Sequence, residues 1–210
     1  MKTWYVNISE QYKYFTWTPQ RTGSTHFTKL LDKFQFQTKH FDEDGNVTTI
    51  DNHSTHNHYC RFFNNHLEYK FLITVRNPYS MVISRLALPL SKLTFDDFMK
   101  DASWKIENMF QSMLSPEDCC ECFTIRKPDS FIRLEHLYED WLNLPFVKNH
   151  PINTSGELKK ICSVRENQQP HTEDSNYWKR FYNQRLADLV YYNFPNSFEL
   201  FGYDKDSWKS

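Results

Sequence analysis

Three short stretches of this chain carry residues able to handle an anion or a proton. The first is Arg21-Thr22-Gly23-Ser24-Thr25. A glycine-bearing turn of this kind, leading into a helix, aims backbone N–H groups and the positive end of a helix dipole at one point. Phosphate is the commonest guest of such a cradle. The second is Val75-Arg76-Asn77-Pro78, with Ser84 eight residues after Arg76. Arginine presents a planar fork suited to phosphate, and a serine two helical turns in completes the grip if the strand end curls over the helix. The third is the polar loop 52–58, with His53, His56 and His58. Histidine titrates in the range useful for taking a proton from a hydroxyl.

Each stretch has a plainer reading. Short Ser/Thr/Gly turns are common, and an arginine or a helix serine is usually a surface residue. The three histidines could be an ordinary polar loop, or could hold zinc, although no further clear ligand accompanies them. The first turn is also not a G-x-x-x-x-G-K-[ST] loop, because it has one glycine and no lysine before its hydroxyls. ATPase and GTPase readings lose ground accordingly.

The elements that would position these residues follow from pattern. Tyr14, Phe15 and Trp17 favour a strand, which Pro19 ends because proline cannot donate to a ladder. Phe27, Leu30 and Leu31 then recur at helical spacing. Residues 3–8 read as a short edge strand or a loosely packed segment, 34–41 and 47–51 as further strands, and Asp44-Gly45 as the reversal between them. The apolar run 69–76 suits a strand buried on both faces. Pro78 fits the first turn of a helix over 79–88. Residues 94–114 read as a helix, 129–135 as a strand, 136–144 and 177–193 as helices. Residues 146–176 are mostly polar with weak periodicity, and 198–204 fold back. Strands alternating with helices predict an α/β domain with a mainly parallel sheet, one domain over 1–210. In such sheets ligands bind beyond the carboxyl ends of strands. The loops 19–25, 52–58 and 76–80 each follow a predicted strand and are expected to converge on one edge.

Composition narrows the class. The 210 residues carry a net charge of −1, so no global field points to nucleic acid or an anionic membrane. No apolar run reaches the length of a membrane span, and the first residues lack a signal-peptide core. A soluble, cytoplasmic chain is expected. Five cysteines, an odd number, argue against a disulfide framework. Cys119, Cys120 and Cys122 lack a second pair for structural zinc, so no metal is expected.

The order of strand, R-T-G-S-T, helix, and then V-R-N-P with a serine eight residues after the arginine, resembles the PAPS-dependent sulfotransferase family (PAPS is 3′-phosphoadenosine 5′-phosphosulfate). Residues 75–86 match its 3′-phosphate motif without a gap. Residues 131–141 are similar to its strand-to-helix segment, and Phe198 to Asp204 to the closing motif of many carbohydrate members. The resemblance covers most of the chain from Tyr12 to Asp204. It implies a P-loop-like three-layer domain, PAPS as cofactor and PAP as product, and a hydroxyl acceptor, a carbohydrate by flavour.

The resemblance also implies roles. Backbone N–H groups of Thr22, Gly23, Ser24 and Thr25 hold the 5′-phosphate, with the Ser24 and Thr25 hydroxyls adding bonds. Arg21 replaces the family's usual loop lysine. Being always charged, it stabilises the leaving phosphate rather than donating a proton. His26 falls where cytosolic members carry a tryptophan against adenine; it either stacks there or is a helix-surface histidine. Arg76 and Ser84 anchor the 3′-phosphate. The base commonly closes the strand before the arginine-bearing one, which ranks His53 first and His56 second. Two other classes stay open: a non-catalytic relative binding the nucleotide or a sulfated ligand, and a small-molecule kinase of P-loop-like fold. Oligomeric state is not fixed by the sequence.

Overall fold

The computed structural model describes residues 4–17, 24–41, 47–48, 67–86, 127–164 and 176–209. The chain divides into two compact units that interleave in sequence. One comprises Met1–Val75 and Cys122–Val164, the other Arg76–Glu121 and Arg165–Ser210. The helix expected over 94–114 lies outside the described residues.

The first unit is built on a six-stranded open sheet. Its strands are β1 (Trp4–Ser9), β2 (Tyr14–Trp17), β3 (Gln37–Phe41), β4 (Val47–Thr48), β5 (Lys70–Val75) and β6 (Ser130–Arg133). Their spatial order is β4-β3-β1-β2-β5-β6. The β2–β5 and β5–β6 pairs are parallel, while β1–β2, β1–β3 and β3–β4 are antiparallel. β2, β3, β5 and β6 therefore point one way, and β1 and β4 the other. The class is mixed α/β, and the expectation of a mainly parallel sheet holds for the β2–β5–β6 side only.

The correction comes from β1. It was expected at an edge, yet it lies between β3 and β2. The turn Glu10–Lys13 is too short for a crossover and can join only antiparallel neighbours. Lys13 takes the left-handed conformation there, with φ 56. Buried Val6 and Ile8 suit an interior strand.

Helix α1 (Ser24–Lys33) follows β2. Phe27, Leu30, Leu31 and Phe34 fall at i, i+3, i+4 and i+7 and are all buried, while Thr28, Lys29, Asp32 and Lys33 are exposed. The helix ends in a Schellman motif. Gln35 has φ 57, Gln35 N–H donates to the Asp32 carbonyl, and Phe36 N–H to that of Leu31, both at 3.0 Å. After β6, a 3₁₀ turn (Leu134–His136) leads into α3 (Leu137–Leu142), while α2 (Pro78–Leu86) belongs to the second unit. The mostly polar stretch contains α4 (Pro151–Thr154) and α5 (Glu157–Ser163), which weak periodicity did not reveal. Trp141, stacked on Phe34 at 5.0 Å, anchors the core between these helices and the sheet residues Tyr14, Leu72 and Ile132.

The second unit contains α2 (Pro78–Leu86), a 3₁₀ turn (Tyr177–Phe181), α6 (Gln184–Asn193) and α7 (Pro195–Phe201). Tyr79, Val82 and Ile83 of α2 pack with Trp178, Phe181, Leu186, Val190 and Phe198. The single helix expected over 177–193 is broken, because Tyr182 is extended and Asn183 caps α6 by accepting from Leu186 N–H at 3.0 Å. Gly202 ends α7 in the left-handed region, with φ 70.

Candidate functional site

The first unit contributes a strand, a turn and a helix in the expected order. β2 ends at Trp17 and α1 begins at Ser24. The first N–H groups of such a helix have no intrahelical partner. Arg21, Thr22 and Gly23 lie outside the described residues. Ser24, Thr25 and His26 form the first turn of α1, and their side chains are likewise outside the description. Within β2, Thr16 is 1% exposed and its Oγ1 has no hydrogen-bond partner. An unpaired buried hydroxyl costs about 1–3 kcal/mol, and this one lies two residues before the turn. Pattern reading missed it, since a threonine in a strand is unremarkable.

β5 and β6 end at the same edge of the sheet as β2, because the three are parallel. β6 closes on a lock. Asp140 of α3, 5% exposed, accepts from Arg133 N–H at 2.8 Å, Arg133 Nε at 2.9 Å and Arg133 Nη2 at 2.7 Å. This fork fixes the strand end against the helix that follows.

β4 breaks the expected convergence. It runs antiparallel to β3, so its carboxyl end faces the edge opposite to that of β2. The chain that leads on to His53 and His56 therefore leaves β4 at the edge opposite to the one expected. Both histidines, and His58, lie outside the described residues. The strand expected over 34–41 is confined to Gln37–Phe41, and the expected reversal at Asp44-Gly45 lies outside the described residues; the antiparallel pairing of β4 with β3 is what turns its end around.

The second unit holds the other expected anion site, and here the side chains are in place. Asn77 caps α2: its Oδ1 accepts from Tyr79 N–H at 3.1 Å, and Pro78 occupies the first turn. Arg76 precedes the cap, and its Nε donates to Ser80 Oγ at 2.8 Å. Ser84 lies one turn beyond Ser80, half-buried. Ser80 and Ser84, four apart within α2, lie on one side of the helix, and the Nε bond brings the Arg76 side chain to that side from before the cap. Sequence reading named Arg76 and Ser84 and passed over Ser80, whose bond to Arg76 is not legible in spacing.

The start of α2 is tied down from three directions within this unit. Asn77 Nδ2 donates to Ser207 Oγ at 3.0 Å. Tyr79 Oη donates to the Lys205 carbonyl at 2.6 Å, and Tyr182 Oη to the Tyr79 carbonyl at 2.8 Å. Burial, reinforced by Asp206, Asp188 and Asp204, holds the Tyr79 phenol above its ordinary range. Tyr177 lies within the field of Arg76: burial raises its phenol and the guanidinium opposes the rise. The head of α2 thus carries a guanidinium bonded to one serine, with a second serine one turn further on the same side of the helix.

Comparison with protein-family models, with curated proteins and with solved structures returned no match. Among the described residues no helix is long and apolar enough to cross a membrane.

Proposed function

We propose that this chain is a PAPS-dependent sulfotransferase, moving a sulfuryl group from PAPS to a hydroxyl of an acceptor, a carbohydrate being the class its sequence most resembles. The observation that carries the reading is the Arg76–Ser80 bond at the head of an Asn-capped, Pro-started helix, with Ser84 one turn further on. A guanidinium held by a buried serine at a helix start is suited to a phosphate monoester. The β2–turn–α1 unit and the parallel β2–β5–β6 strands support a P-loop-like arrangement, to which antiparallel β1 is an addition.

In this reading Arg76 and Ser84 hold the 3′-phosphate. The N–H groups of Thr22, Gly23, Ser24 and Thr25 hold the 5′-phosphate, with His26 beside the adenine. The acceptor oxygen attacks sulfur in line, His53 takes its proton, and the bond from sulfur to the bridging oxygen breaks. The electron pair leaves on PAP, where Arg21 stabilises the developing charge. His53 lies five residues beyond the end of β4. An extended chain covers about 3.3–3.6 Å per residue, so those five span roughly the length of a short strand. His56 has still more slack and stands second.

The test is a thermal-shift titration of the full chain with PAP, PAPS, ATP plus Mg²⁺, and sulfate. A rise specific to PAP and PAPS is expected. It should be largely lost in Arg76→Ala, while His53→Ala should keep it and lose sulfate transfer. A preference for ATP with Mg²⁺ would instead favour a kinase. PAP binding without transfer to any of a broad acceptor panel would favour a binding protein.

A further inference from the structure

The head of α2 has more to offer a phosphate than the Arg76 and Ser84 pair. Ser80 is 4% exposed, and its Oγ is where the Arg76 Nε–H goes. A guanidinium held at Nε loses rotation about its last side-chain bonds, so the direction of its planar fork is set before any ligand arrives. Tyr177 opens the 3₁₀ turn that packs against α2. Its ring rests on the core that includes Tyr79 and Val82, and its phenol feels the Arg76 charge. Burial keeps that phenol protonated, so it stays a donor throughout the physiological range. Pre-set direction matters because a ligand then has less side-chain freedom to freeze out on binding.

We infer that Ser80 and Tyr177 complete the 3′-phosphate pocket. Ser80 is a positioning residue that orients the Arg76 fork, and Tyr177 donates its phenolic O–H to the same phosphate. The inference rests on the sulfotransferase reading and deepens it: the 3′-phosphate, rather than the adenosine, is what this pair recognises. Neither residue belongs to the Arg…Ser pattern legible in the sequence.

The experiment is calorimetric titration of the full-length wild type, Ser80→Ala, Ser80→Thr and Tyr177→Phe with PAP and with adenosine 5′-phosphate, which lacks the 3′-phosphate. Arg76→Ala serves as the reference for the pocket itself. PAP affinity is expected to fall about tenfold in Ser80→Ala and in Tyr177→Phe, the size of one hydrogen bond involving a charged group. Ser80→Thr should restore most of the loss, and adenosine 5′-phosphate should bind all variants alike. A merely structural role would weaken both nucleotides together, and that outcome overturns the inference. So does wild-type PAP affinity in both variants while Arg76→Ala loses it, which leaves the sulfotransferase reading intact. Absence of PAP binding by the wild type removes the reading and the inference together.

Discussion

Asn77 Nδ2 donates to Ser207 Oγ at 3.0 Å, tying the cap of α2 to the chain's closing turn. The same side chain caps the helix through Oδ1, so one residue performs two separable tasks. Asn77→Asp keeps an oxygen for the cap and removes the donor to Ser207. Asn77→Ala removes both. Loss of a cap costs about 1 kcal/mol, and Asn77→Ala should therefore lower the urea midpoint clearly more than Asn77→Asp. Equal midpoints would mean that the cap bond is idle.

Arg133 and Asp140 differ in what each leaves behind. Removing the Arg133 side chain takes the cation from a carboxylate that is 5% exposed and leaves it the bond from the backbone N–H, whereas the arginine side chain is 30% exposed and can turn to water. Arg133→Met is expected to cost about 3 kcal/mol, in the range for breaking a buried pair from one side. Adding Asp140→Leu should recover part of that loss. A cost for Arg133→Met below about 1 kcal/mol would class the pair with surface ion pairs.

Glu10 gives the chain an acid-sensitive tie. The Tyr69 hydroxyl, then Lys13 and Lys39, hold its carboxyl down to about 2 from 4.5. A carboxyl depressed on folding adds stability that is present above its unfolded pKa and is lost as pH falls through the folded value. The window here runs from about 4.5 down to about 2. Glu10 is largely exposed, so solvent screening makes the contribution small. Glu10→Gln should flatten stability across this window in acid titrations followed by circular dichroism. A carboxyl titrating near 4.5 in the folded chain would contradict the assignment.

Gln35 holds a left-handed conformation, with φ 57, that costs glycine nothing. Gln35→Gly is expected to stabilise the chain by about 0.5–1 kcal/mol, despite glycine's greater freedom when unfolded. Thermal melts of the two proteins decide it, and a fall in Tm would show that the Schellman turn tolerates glutamine without strain.

Cys162 should be unreactive while the chain is folded. Burial, and secondarily the Glu139 charge, pushes its thiol up to about 12, and thiolate is the nucleophile. Iodoacetamide at pH 8, read by peptide mass spectrometry, should label Cys162 only after denaturant is added. Prompt labelling in the native protein would refute this.

What the sequence revealed divides along physical lines. The strand of Tyr14 to Trp17, the buried run of β5 and the helix start at Pro78 were legible because apolar pattern and proline chemistry act locally. The Schellman turn was not, because its left-handed residue is glutamine rather than glycine. The break at Asn183 was hidden because Trp178, Phe181, Leu186 and Val190 continue an apolar pattern across it. α4 and α5 were missed because four and seven residues are too few to show a period. The interior place of β1 and the reversed direction of β4 depend on pairings distant in sequence, which no local pattern encodes. At the candidate site, Arg76 and Ser84 came from spacing, while Ser80, Tyr177 and Thr16 needed coordinates.

The long-range pairing of β2 has a consequence for synthesis. Tyr14 waits for Lys70, and Leu72 in turn for Ser130. A nascent chain that has released the first hairpin from the ribosome exposes the border of β2 until β5 emerges, because β3 pairs on the far side with β1, and that border is open to pairing with other chains. Closing loops of such span is slow. Assembly of this protein should accordingly be more sensitive to crowding by its own copies, and to chaperone supply, than the finished fold is.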